Sequence, residues 1–173
     1  MIEAKIYVNN SLEQRFRAAA MRKFGLGRGA LSKAIENSCL RWLVEEDEIN
    51  NAITSIKEAA SKEKNVLVII IFGSYARKEP AFRDVDIGIV LKKTEDNQFE
   101  IERKFLNLLE EYNLKFDVSV INKFGYDILK KIFSEGHIVY CSDEAALGGY
   151  LEELLLENEE ALARSASLGY GKG

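Results

Sequence analysis

The sequence predicts an α/β (α+β) chain in which a small mixed sheet flanked by helices follows a separate unit of one strand and two helices. Three observations predict it. Val66 to Phe72 is a continuous apolar run, the mark of a strand covered on both faces. Beyond it, short strand patterns alternate with helical ones. Charge is also divided: residues 1–41 hold eight Lys/Arg and three Asp/Glu, a net of +5, and residues 42–173 carry a net of −9. A basic head on an acidic body points to two units with different partners, divided as residues 1–46 and 47–173.

Composition excludes several classes. With 173 residues, 30% charged and 47% hydrophobic, the chain is neither disordered nor fibrous, and a single Pro argues against long linkers. Cys39 and Cys141 lie far apart, so neither a disulfide framework nor a zinc site is supported. The longest apolar run is too short to span a bilayer. The first twenty residues lack a basic segment followed by a long apolar core. The expectation is a reduced, cytoplasmic protein with no membrane partner.

In the head, Ala4, Ile6 and Val8 alternate with Lys5, Tyr7 and Asn9, which predicts a strand over Glu3 to Asn9. Asn9, Asn10 and Ser11 are turn and N-cap residues. A helix follows from Leu12 to Phe24, and the GLGRG stretch from Gly25 to Gly29 breaks it. A second helix begins near Ala30, with Leu31, Ile35, Cys39 and Trp42 on one face. Cys39 reads as a small core residue and Trp42 as packing.

In the body, Asp47 to Lys64 is again helical. Strands are predicted at Val66–Phe72, Asp84–Leu91, Leu114–Ile121 and His137–Tyr140. Helices are predicted at Phe99–Tyr112, Phe124–Phe133 and Asp143–Arg164, with a frayed end from Ser165. No internal repeat is present. His137, the only histidine, and Tyr75 read as structural.

A strand and two helices in about forty-five residues are too few to make a stable core alone. Two copies solve this by pairing their strands into an antiparallel ribbon over four helices. The order of elements, with GRGALSKAIENSCLRWL from Gly27 to Leu43, resembles the ribbon-helix-helix repressors of the Arc and MetJ type. That resemblance implies a homodimer bound to operator DNA. Lys5 and Tyr7 would face the major groove, and Arg28 and Ser32 would lie at a phosphate near the start of the second helix. Two other readings stand beside it: a strand that extends the sheet of the body, and a helix-turn-helix.

The most informative segment is IIIFGSYARKEPAFRDVDIGIV, Ile69 to Val90. Gly73 lets a phosphate approach the backbone, and the Ser74 hydroxyl adds a hydrogen bond. Asp84 and Asp86, two apart on a strand, share one face. Adjacent anions of this kind call for a cation between them, and their oxygen donors suit Mg²⁺. Asp117, in KFDVSV, lies on the next predicted strand, within reach of the same cluster.

Gly73-Ser74, a gap of nine residues, Asp84-Val85-Asp86, the later Asp117 and the EGHIVY ending from Glu135 to Tyr140 together resemble the minimal nucleotidyltransferases of the DNA polymerase beta superfamily. The resemblance covers roughly Asn50 to Tyr140 and implies a set of roles. Asp84 and Asp86 would hold two Mg²⁺ ions. Asp117 would hold the catalytic ion and orient or deprotonate the incoming hydroxyl. Gly73 and Ser74 would grip the β- and γ-phosphates of a nucleoside triphosphate, ATP being the expected one, and Arg77 would touch phosphate or brace the fold. Two departures from the family pattern stand out: Lys78 where a Gly is common, and Gly88 inside the second strand, read as a bulge or a close backbone approach.

Small members of this family serve as antitoxins that adenylylate a HEPN-domain ribonuclease toxin, so the resemblance implies an antitoxin and autoregulator. The alternatives are a DNA-binding regulator without turnover, and a transferase acting on a small molecule or RNA whose head only dimerises.

Overall fold

The computed structural model describes residues 7–79, 82–93 and 98–169, with side chains described as far as residue 159. In order, the elements are α1 (Asn10–Phe24), α2 (Ala30–Lys62), β1 (Val66–Phe72), α3 (Gly73–Ala76), β2 (Val85–Leu91), α4 (Gln98–Leu109), β3 (Phe116–Val120), α5 (Tyr126–Glu135), β4 (His137–Cys141) and α6 (Glu144–Gly169). Two compact units emerge, Met1–Asp47 and Glu48–Gly173. No helix among the described residues is long and apolar enough to cross a membrane.

In the first unit, Asn9 caps α1: its side-chain oxygen accepts from the Leu12 amide at 2.8 Å. Gly25, with φ of 85°, ends the helix, and its amide donates to the Met21 carbonyl. The buried side chains of this unit, among the described residues, are Ala20, Ala30 and Ala34. Several of its larger apolar groups stay in solvent, and none is fully buried among the described residues. Leu12 is 50% exposed and Trp42 59%. Val8, Leu12, Phe16, Leu31, Ile35 and Cys39 line a groove of about 390 Å³. The expected core place of Cys39 and packing role of Trp42 are therefore corrected: both are exposed, and among the described residues nothing covers them. Of the expected strand, residues 3–6, Lys5 included, lie outside the described residues, and Tyr7 to Asn9 form no strand in the single chain.

The two helices expected over residues 30–64 are one helix of 33 residues. No Gly or Pro interrupts it, and the Glu45–Glu48 stretch between Val44 and Ile49 still favours helix.

The second unit is built on a four-stranded mixed sheet in the order β3-β2-β1-β4. β1 pairs antiparallel with both β2 and β4, whereas β2 and β3 are parallel. The parallel pair requires a crossover, which α4 supplies. Both faces of the sheet are covered, which explains the unbroken apolar run of β1. On one face, Ile69, Ile71, Ile87 and Ile89 pack against Ile49 and Ile56 of α2 and Phe105 of α4. On the other, Val68, Ile70, Val90 and Ile121 pack against Leu129 and Ile132 of α5, with Leu147 and Leu154 of α6 alongside. Each fully buried Ile contributes about 1.5–3 kcal/mol. Gly88 is a close approach and not a bulge. It pairs in register with Ile70 and Ser119, and a β-carbon there would lie 2.9 Å from Ile121.

Candidate active site

The ends of β1, β2 and β3 position the site. Strand alternation places Asp86 and Asp117 on the sheet face that also carries α5. Register sets Asp86 beside Asp117 across the parallel pair and beside Phe72 across the antiparallel one. Asp84 sits on the bend just before β2. Gly73 follows Phe72 at once, with φ of 74°, and carries no side chain where the Asp86 carboxylate lies.

The three carboxylates interact. Burial first, then the charges of Asp84 and Asp117, push the Asp86 carboxyl above its ordinary range, and Arg77 opposes the shift. The Lys115 Nζ lies 3.5 Å from the Asp84 carboxylate. Among the described residues no three His, Cys, Asp or Glu side chains close into a metal-ligand group in this structure. The donor chemistry nevertheless fits Mg²⁺, which is commonly held by one or two carboxylates together with phosphate oxygens and water.

Arg77, just past α3, is held on two sides. Glu79 accepts from its guanidinium at 2.7 Å and Glu135, the last residue of α5, at 3.3 Å. The Glu79 hydrogen bond is the main reason that the guanidinium pKa is raised. A pocket of about 220 Å³ opens beside Gly73, lined by Phe72, Arg77, Ile128, Lys131, Ile132 and Glu135. His137 donates from Nε2 to the Ala76 carbonyl at 3.2 Å and so ties β4 to α3, a structural role. Tyr75 meets Phe82 edge to face, with ring centroids 5.2 Å apart, and packs on the core. Lys78 adopts φ of 57°, a conformation that favours glycine.

Asp84, Asp86, Asp117, Gly73, Ser74 and Arg77 thus lie at one end of the sheet and around the turn that follows β1. The residues expected at DNA belong to the first unit. Tyr7 is 90% exposed, Arg28 is exposed in the turn before α2, and Ser32 is exposed in the first turn of α2.

Sequence reasoning passed over Lys115, Lys131 and Glu135 as site residues. Lys115 had a readable signal, since it lies two residues before Asp117. Glu135 stood inside the EGHIVY motif, but nothing local points from it to Arg77. Lys131 carries no signal beyond its place on an amphipathic helix.

Comparison of the sequence with curated proteins gives no match. Among solved structures, the chain is similar to one in the tri-AMPylated Shewanella oneidensis HEPN toxin in complex with MNT antitoxin, at 16% identity and a TM-score of 0.48, covering 70% of this chain and 94% of that one. A toxin–antitoxin structure with AMP-PNP contains a similar chain at 15% identity and a TM-score of 0.46, covering 74% and 98%. The MntA–HepT toxin–antitoxin does so at 14% identity and a TM-score of 0.45, covering 74% and 99%. The family model described as "Polymerase beta, Nucleotidyltransferase" matches residues 54–145, which span β1 to β4 and every carboxylate of the site. The chain belongs to the polymerase beta nucleotidyltransferase family.

Proposed function

We propose that the protein is a Mg²⁺-dependent nucleotidyltransferase that moves AMP from ATP to a hydroxyl of a protein acceptor, and that its basic head pairs with a second copy to bind operator DNA. The observation that carries the catalytic reading is the Asp86 carboxylate, set against Gly73 and raised in pKa by burial, Asp84 and Asp117. Such a cluster of anions is satisfied by a divalent cation. Asp84 and Asp86 would hold the metal, with Asp117 completing the set for a second ion. When bound, Mg²⁺ supplies the positive charge that stabilises the attacking and leaving oxygens. Asp117 orients the acceptor hydroxyl and takes its proton. The hydroxyl oxygen bonds to the α-phosphorus, the bond from that phosphorus to the bridging oxygen breaks, and pyrophosphate leaves. Gly73 and Ser74 hold the β- and γ-phosphates, and Arg77 adds charge beside them.

The protein acceptor, read as a HEPN-type toxin, rests on the resemblance of the Gly73-Ser74 and Asp84-Val85-Asp86 motifs to small antitoxin nucleotidyltransferases. The dimeric head rests on the basic charge of residues 1–41, the small number of buried side chains among its described residues and the apolar groove along Leu12, Phe16, Leu31 and Ile35.

Incubating the full chain with labelled ATP, Mg²⁺ and the product of the adjoining reading frame tests the reading. Label should pass to the partner with release of pyrophosphate, and Asp86→Asn should abolish both. A wild type that stays silent with a folded HEPN partner present overturns the catalytic assignment. For the head, upstream DNA should bind with a log–log salt slope of about −0.9 per phosphate contacted, and Lys5→Ala should weaken binding. A monomer that binds no upstream DNA overturns that part.

A further inference from the structure

We infer that Lys131 of α5 and Arg77 together take the terminal phosphate of a nucleoside triphosphate, and that Glu135 holds Arg77 until that phosphate arrives. The inference rests on the proposed transferase reading for one point, that the α-phosphorus lies at the acidic cluster. Gly73 then joins two places, since it abuts the Asp86 carboxylate and also lines the pocket between β1 and α5. A row of phosphates that leaves the cluster past Gly73 enters that pocket.

The pocket is suited to an anion. Arg77 and Lys131 both line it, beside Phe72, Ile128 and Ile132. Lys131 makes no ion pair among the described residues. The two carboxylates on Arg77 differ. Glu79 contacts it at 2.7 Å, a good charge-assisted distance, and Glu135 at 3.3 Å, a long one. The Glu135 side chain is 36% exposed, so it returns to water at little cost when displaced. A terminal phosphate carries more charge than a carboxylate and matches the guanidinium fork. Tail binding therefore exchanges Glu135 for phosphate, while Glu79 keeps Arg77 in place.

The test measures binding by calorimetry, without turnover, using inorganic tripolyphosphate, a non-hydrolysable ATP analogue and AMP. Lys131→Gln should weaken tripolyphosphate and the ATP analogue about tenfold, the loss of one charge-assisted contact, and leave AMP unchanged. Glu135→Gln should tighten both polyphosphates about two- to fivefold, the reach of a partly exposed ion pair. Equal polyphosphate affinity in wild type and Lys131→Gln overturns the inference. So does weaker polyphosphate binding by a Glu135→Gln variant with wild-type thermal stability. If Glu135→Gln fails to fold, the surface variant Lys131→Gln decides alone. The two readings separate cleanly. AMP transfer by a wild type whose polyphosphate binding ignores Lys131 overturns only this inference. The expected binding pattern without AMP transfer to a folded partner overturns only the catalytic reading.

Discussion

A β-carbon built on Gly73 would lie 1.8 Å from a carboxylate oxygen of Asp86 and 3.3 Å from its Cβ. The absence of one side chain thus makes room for another, at the point where β1 hands over to α3. The backbone adds a second demand, because φ at Gly73 is 74°.

Gly73→Ala is therefore expected to act in two ways. The left-handed backbone alone costs a β-carbon about 1–2 kcal/mol. The clash also drives the Asp86 carboxylate out of its place, and rotation of the carboxyl does not fully relieve it, since Cβ is close as well. Urea denaturation should show a lower midpoint, and AMP transfer should fall by far more than the folded fraction does. Retained transfer at wild-type rate in a Gly73→Ala variant would show that Asp86 does not need its observed position.

A second expectation concerns charge. Burial, Asp84 and Asp117 hold the Asp86 carboxyl above its ordinary range. A raised carboxyl stabilises the fold most when protonated. That contribution is full below the unfolded-state pKa and is lost as pH rises through the folded value. Near neutral pH in EDTA, ionised Asp86 works against folding, so Asp86→Asn should melt at a higher temperature than wild type. The difference should shrink as pH falls into the acid range, where wild type carries its proton. Adding Mg²⁺ should stabilise wild type and leave Asp86→Asn nearly unmoved. Thermal melts over that pH range, with and without metal, check all three. A lower melting temperature for Asp86→Asn in EDTA at every pH would contradict the assigned electrostatics.

Much of the body is legible in the sequence because its signals are local. The run from Val66 to Phe72 coincides with β1 to the residue. Asp84, expected on the same strand as Asp86, instead lies on the bend before β2, because the strand pairing begins only at Val85. The parallel pairing of β2 with β3 has no local signature, although it sets Asp86 beside Asp117. Nor does the Arg77–Glu135 pair, which joins residues 58 apart. The head shows the opposite limit. Spacing correctly groups Leu31, Ile35 and Cys39 along one groove, but periodicity marks a face without saying what covers it. The two expected helices merge into α2 because the division of charge between head and body, drawn at residues 46 and 47, coincides with no residue that breaks a helix.

Lys78 carries the last expectation. Its φ of 57° is the left-handed conformation that only glycine adopts freely, and its amide donates to the Tyr75 carbonyl at 2.9 Å, which closes the turn after α3. The strain is a property of the backbone, so any residue with a β-carbon suffers it. Lys78→Gly should relieve about 1–2 kcal/mol of it. The freer unfolded chain returns part of that gain, which leaves a net stabilisation of about 0.5–1 kcal/mol. Lys78→Ala keeps the strain and should show no such gain. Urea midpoints of the three proteins measure the difference directly. A Lys78→Gly variant no more stable than Lys78→Ala would mean that the turn is not strained.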